Sequence, residues 1–270
     1  MNRSEVIAVK RRVALVTGGA TGLAVQIVLD LAKAGHDIVI NYRSSEQQAL
    51  DLQQQVEQLG VSCAVIQGDV TKLEDCERLI EQGLARFGTI DICVLSAGPY
   101  MFERRKMVDY SIDEWQQIIN GNLDSFFYMT RMLIPQMREK KWGRIITFGF
   151  QQAGHASGWM YRAAFAAAKS GLASLTRSIA EEEADAGITI NMICPGDIVG
   201  DNKEKRIKDV KDHQSVDTAP VGRPGTGEDI SRVVEFLSSP QSDFITGSII
   251  EVSGAFNIFA KHGGTTNSDE

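Results

Sequence analysis

The chain carries 270 residues, 43% of them apolar and 23% charged, with a net charge of −7. That size and balance fit one large soluble α/β domain with its own core. An acidic balance without a dense basic stretch argues against nucleic acid as a partner, and no run is long enough to span a membrane.

The apolar run at 6–9 is too short for a signal peptide. The basic residues 10–12 lead into a strand expected at 13–16. A glycine-rich turn follows, Thr17-Gly18-Gly19-Ala20-Thr21-Gly22, and opens a helix over 23–34. Further strands are expected at 38–40, 64–66, 92–95, 145–148, 188–193 and 249–252. Helices are expected over 45–59, 73–87, 113–140, 161–186 and 228–237. The strand runs are continuously apolar rather than alternating, which predicts a sheet covered on both faces. Strand and helix alternate throughout, so the expected fold is a Rossmann-like α/β domain, a doubly wound parallel sheet over 1–260. Residues 261–270 read as a disordered tail.

Two segments break the rhythm, 151–160 and the charged 201–218. Ligands of open α/β sheets bind at the carboxyl ends of the strands, so both are candidate pocket walls or lids. The cysteines, Cys63, Cys76, Cys93 and Cys194, show no metal-ligand spacing. They read as reduced thiols of a cytoplasmic protein that holds no metal.

Glycines between a strand and a helix permit a tight turn and close backbone approach to a pyrophosphate, which then rests on a helix N-terminus. The second strand runs out as Asn41-Tyr42-Arg43-Ser44. An acidic side chain there would bind an adenosine 2′-hydroxyl and repel a 2′-phosphate. Asn41 is neutral and Arg43 with Ser44 can meet a phosphate, so NADP(H) is expected over NAD(H).

These motifs, with Asp69-Val70, Ser96-Ala97-Gly98, Gly121-Asn122-Leu123, Pro195-Gly196 and Lys169 followed by Gly171, Thr176 and Ala180, resemble the short-chain dehydrogenase/reductase family over residues 11–257. The likeness is to members of the 3-oxoacyl-acyl carrier protein reductase kind. The resemblance implies cofactor contacts from Gly18, Ala20, Thr21, Gly22, Leu23, Asn41, Tyr42, Arg43 and Ser44. It implies others from Asp69, Val70, Ser96, Ala97, Gly98, Lys169, Pro195, Gly196 and Ile198. It also implies that Asn122 and Lys169 serve the catalytic centre, and that the chain assembles as a homotetramer or homodimer.

The sequence departs from the family where the chemistry is done. The proton-transferring tyrosine is Phe165, and the serine that positions the substrate oxygen is Phe150. A phenyl ring cannot donate a proton. Tyr161 is a substitute donor, one turn before Phe165 on the same face of the helix expected over 161–186. Tyr100 and His155 are others. Gln151 and Gln152 could polarise a carbonyl, and Phe148, Phe150 and Phe165 suggest an apolar pocket floor. The expected function is an NADP(H)-dependent oxidoreductase with an atypical site, reducing a carbonyl or activated C=C of a small or acyl substrate. The alternative is a catalytically silent NADP(H)-binding protein acting as sensor, scaffold or partner subunit.

Overall fold

Seven apolar runs become strands, and every neighbouring pair is parallel. The computed structural model describes residues 11–210 and 219–257. The apolar run at 6–9, part of the charged segment 201–218 and the tail 261–270 lie outside the described residues.

In chain order the elements are β1 (Val13–Val16), α1 (Leu23–Lys33), β2 (Asp37–Tyr42), α2 (Glu46–Gln58), β3 (Cys63–Gln67), α3 (Leu73–Phe87) and β4 (Ile92–Leu95). There follow α4 (Ile112–Ile119), α5 (Ser125–Lys140), β5 (Gly143–Phe148), α6 (Ala163–Glu182), β6 (Ile188–Pro195), α7 (Gly227–Ser238) and β7 (Ile249–Val252). The sheet order is β3-β2-β1-β4-β5-β6-β7. The chain therefore reverses its direction of growth between β1 and β4, and a crevice opens above their carboxyl ends.

Strand residues alternate between two cores although both sets are apolar. Val13 and Leu15 pack toward α3, α5 and α6, while Ala14 and Val16 pack toward α1, α2 and α7. This is the three-layer arrangement that continuous apolar strands require. The same alternation corrects one expectation. Phe148 faces the α1 and α7 layer, whereas Phe150 and Phe165 belong to the opposite one. Phe148 is therefore not part of a shared pocket floor.

The helix expected over 113–140 is two helices. Asn120–Asp124 between them forms a wider π-type turn, a local distortion common at functional sites. Ser111 caps α4 in a reciprocal box with Glu114, stabilising its exposed start by about 1 kcal/mol. The helix expected over 161–186 begins two residues later, at Ala163, and gives way to a 3-10 turn at Ala184–Ala186. The four cysteines are free and buried. Among the described residues no helix is long and apolar enough to cross a membrane.

Candidate active site

The glycine turn, the end of β2, the turn after β3 and the turn after β4 meet around one cleft of about 420 Å³. Gly18, Ala20, Thr21, Gly22, Leu23, Asn41, Tyr42, Arg43, Ser44, Asp69, Val70, Ser96, Ala97 and Gly98 all line it. Ser45, Gly68, Thr71 and Pro99 line it too and were not expected, and Lys203 lines it from the charged segment that was expected to wall the pocket. Gly68 and Thr71 flank the expected Asp69-Val70 pair, and Pro99 follows Gly98, so adjacency could have found them. Lys203 belongs to the segment after β6, and no local motif marks it.

Hydrogen bonds hold these turns in register. The Thr17 hydroxyl accepts from Ala97 N–H at 3.0 Å, joining the glycine turn to the turn after β4. Asn41 is 1% exposed. Its Oδ1 accepts from Gly18 N–H at 3.2 Å, and its Nδ2 donates to the Gly68 carbonyl at 3.0 Å and the Ile66 carbonyl at 3.3 Å. Asn41 still lines the cleft, and these bonds give it a bracing task as well. β2 runs on to Tyr42, so Asn41 is a buried brace for the cleft wall, and Arg43 and Ser44 are left at the rim. The Arg43 guanidinium is mostly exposed and lies 4.0 Å from the Asp69 carboxylate.

Pro195, Gly196, Ile198 and Lys169 do not line this cleft. Gly196 and Ile198 line a smaller cavity of about 60 Å³ with Val252 and Phe256. Pro195 ends β6 in register with Val252 of β7.

Lys169 projects from α6, and its Nζ stands 5.7 Å from the centre of the Phe165 ring. It is 6% exposed. Burial pushes its pKa down from 10.5 to about 8, with the neighbouring Cys194 a smaller opposing influence. Among the described residues no hydrogen bond or ion pair holds its ammonium. Asn122 sits in the π-type turn, 2% exposed. Its Nδ2 donates to the carbonyls of Pro99 at 2.8 Å and Ile118 at 3.0 Å, while its Oδ1 has no partner. A Cβ on Gly98 would collide with that oxygen, so glycine is needed at 98 for the approach.

Phe165 is surrounded by rings. Tyr100 meets it edge-on with centroids 5.0 Å apart, and Phe150 and Trp159 each lie 6.2 Å away. Phe150 stacks on Trp159 at 5.4 Å. Arg162 bolts this group to the loop after β4. Its Nε donates to the Tyr100 hydroxyl at 2.9 Å, and its other nitrogens donate to the carbonyls of Phe102, Glu103 and Tyr161, each at 2.8 Å.

The expectation for Tyr161 fails on backbone geometry. Tyr161 precedes the helix with a φ of +64°, so it shares no helical face with Phe165. Its ring lies under Arg104, and its carbonyl accepts from the Tyr110 hydroxyl at 3.2 Å. His155 is exposed in a 3-10 turn. Gln151 donates to the Phe256 carbonyl. Gln152 is exposed with a φ of +64° and accepts from the Ser157 hydroxyl at 3.0 Å. The Gln151 amide thus engages Phe256 and the Gln152 amide engages Ser157. Of the substitute donors only Tyr100 touches the ring that stands at the tyrosine position.

The residues present fit a dinucleotide. The glycine turn offers N–H groups at the start of α1, a neutral brace replaces an acid at the end of β2, and Asn122 keeps one buried acceptor unmatched. The family model described as enoyl-(acyl carrier protein) reductase matches residues 18–257. YtkK of Bacillus subtilis (strain 168), named for an inferred oxidoreductase role, is 47% identical over 251 residues, 93% of this chain and 98% of that protein. The 3-oxoacyl-[acyl-carrier-protein] reductase FabG of Staphylococcus epidermidis is 33% identical over 241 residues, 89% of this chain and 97% of that protein. A blue fluorescent protein from a metagenomic library, solved in complex with NADPH, superimposes with a TM-score of 0.78 at 30% identity, covering 91% of this chain and 97% of that one.

Proposed function

The chain belongs to the short-chain dehydrogenase/reductase family, and we propose that it is an NADPH-dependent reductase of a carbonyl or activated C=C in a small or acyl substrate. Proton delivery in it does not pass through residue 165. The observation that carries this reading is the Phe165 ring 5.7 Å from Nζ of the buried Lys169, in a fold whose glycine turn and turns after β2, β3 and β4 wall one cleft. The nicotinamide, when bound, supplies the hydride.

The side chains around it do the rest. Lys169 presents a desolvated cation that faces the Phe165 ring and, among the described residues, makes no hydrogen bond or ion pair, so it is suited to hold a ribose hydroxyl. Asn122 offers its unmatched Oδ1. Tyr100, Phe150, Trp159 and Phe165 exclude water and favour an apolar acyl portion. The Tyr100 hydroxyl accepts from Arg162, which leaves its own hydrogen to be donated. Reduction of an activated C=C suits this site best, because an enolate can take its proton from Tyr100 or from water. NADPH consumption against ketones, enoyl thioesters and quinones tests the reading. Turnover with any of the three supports it, and binding without turnover on all of them contradicts it.

Arg43 at the cleft rim is the residue that favours the 2′-phosphate. Arg43→Ala should weaken NADPH about tenfold and leave NADH unchanged, since a charge-assisted hydrogen bond contributes ~1.5–3 kcal/mol and exposure reduces it. Titration of both nucleotides reads this, and equal affinity of the wild type for the two would contradict it.

The chain assembles, in this proposal, as a homotetramer or homodimer. Ile112 and Trp115 of α4 and Phe127 of α5 are exposed at 71%, 38% and 54%, an apolar face that a second copy would cover. Light scattering should give a mass of at least two chains at micromolar concentration, and a monomer would contradict it.

A further inference from the structure

The N-terminus of α1 is held by an anion from a distant part of the chain. Gly22 is the N-cap, no side chain of α1's own caps it, and its first turn carries no acidic residue. Such an end concentrates unpaired N–H groups and the positive end of the helix dipole. The Gly22 N–H donates instead to Oε1 of Glu204, at 2.7 Å and 182 positions along the chain. Resting on the dinucleotide reading of the cleft, we propose that Glu204 is a built-in competitor for the pyrophosphate site and that the adjacent Lys203 receives the pyrophosphate when Glu204 swings away.

The main chain of this strap is fixed, which makes the exchange a side-chain event. The Glu204 carbonyl accepts from Gln26 Nε2 of α1 at 2.7 Å. The Lys203 carbonyl packs so closely on the first residue of α7 that a Cβ on Gly227 would collide with it. Two residues on, Arg206 pairs with Asp30 of α1 at 2.5 Å and with Glu228 of α7 at 3.5 Å. The Glu204 side chain is tied only at Gly22 and is otherwise exposed, so it can leave by changing rotamer.

Lys203 is the complementary half. Its side chain lines the cleft beside Thr21, Gly22 and Arg43. Among the described residues it makes no hydrogen bond and no ion pair. The glycine turn itself has the neutral Thr21, so Lys203 brings a cation to this end of the cleft from the strap. A carboxylate and a phosphate cannot share one N–H without like-charge repulsion. Each nucleotide therefore binds against Glu204 and with Lys203, whatever its adenosine carries.

Calorimetric titration of the full chain with NADPH and NADH tests the exchange. Glu204→Ala should tighten both nucleotides about tenfold, by removing a competing charge-assisted bond. Lys203→Ala should weaken both about tenfold. The two effects are equal for NADPH and NADH, unlike that of Arg43→Ala, which falls on NADPH alone. Unchanged or weaker binding of both by Glu204→Ala, in a protein that melts at the wild-type temperature, would overturn the proposal and leave Glu204 a structural cap. Should the wild type bind neither nucleotide, the cofactor reading fails on its own. Inorganic pyrophosphate, titrated into the same variants, then reads the exchange directly, with tighter binding to Glu204→Ala expected and equal binding overturning it.

Discussion

Lys169→Met should make the protein more stable at pH 7, by about 3 kcal/mol, while removing its reductase activity. The folded-state pKa of Lys169 is lowered from 10.5 to about 8, chiefly by burial, and a tenfold change in proton affinity corresponds to about 1.4 kcal/mol. Proton linkage sets the sign. Below pH 8 the lysine is charged in both folded and unfolded chains, and the folded state carries the full cost of burying it. Between pH 8 and 10.5 the unfolded chain binds more protons, so wild-type stability rises with pH. Above that range both forms are neutral and the cost is gone. Urea unfolding of wild type and Lys169→Met should therefore differ most below pH 8 and converge by about pH 10.5. A variant less stable than wild type at pH 7 would show that Lys169 has a compensating partner. A buried cation that costs stability is expected where function needs it.

Restoring the family's hydroxyls should have the second large effect, in two opposite directions. Phe165 is only partly buried, so Phe165→Tyr adds a hydroxyl beside Lys169 at little cost to the fold. Phe150 is 3% exposed and stacked on Trp159. Phe150→Ser empties that place, and large-to-small core changes of this kind cost about 3–5 kcal/mol. Its melting temperature should fall by roughly 10 °C. In alcohol oxidation the double variant should nonetheless gain more than the two single variants together, because the phenol and the serine act as a unit. Values of kcat/KM for all four proteins check this. Strict additivity would mean that residues 150 and 165 do not share one substrate oxygen.

The strands and their parallel sheet were legible because apolar β-branched runs recur between amphipathic helices, and β1, β4, β7 and α3 fall within the expected bounds. The cleft was legible for a related reason: its walls are turns that directly follow strands, so each motif sits beside the run that positions it. What escaped is three-dimensional. Helical periodicity continues through Asn120–Asp124, so the π-type turn leaves no mark in the pattern. Nothing in the residue type of Tyr161 announces a positive φ, and one backbone torsion removed it from the helix face. Asn41 reads as a rim residue until β2 is seen to extend one residue past it. Glu204 and Lys203 reach the glycine turn only because 200–206 lies across α1 and α7. That positions 150 and 165 themselves carry no hydroxyl is, by contrast, read directly from the sequence.

The most direct measurement is the rate at which the wild-type protein oxidises simple secondary alcohols with NADP, set beside its reduction of an enoyl thioester with NADPH. Alcohol oxidation needs a base at the hydroxyl, and position 165 supplies none. Thioester reduction is expected at an ordinary enzymatic rate and alcohol oxidation far below it. Alcohol oxidation at ~1–1000 per second would contradict a site without a base at position 165, and loss of that activity in Tyr100→Phe would identify the base.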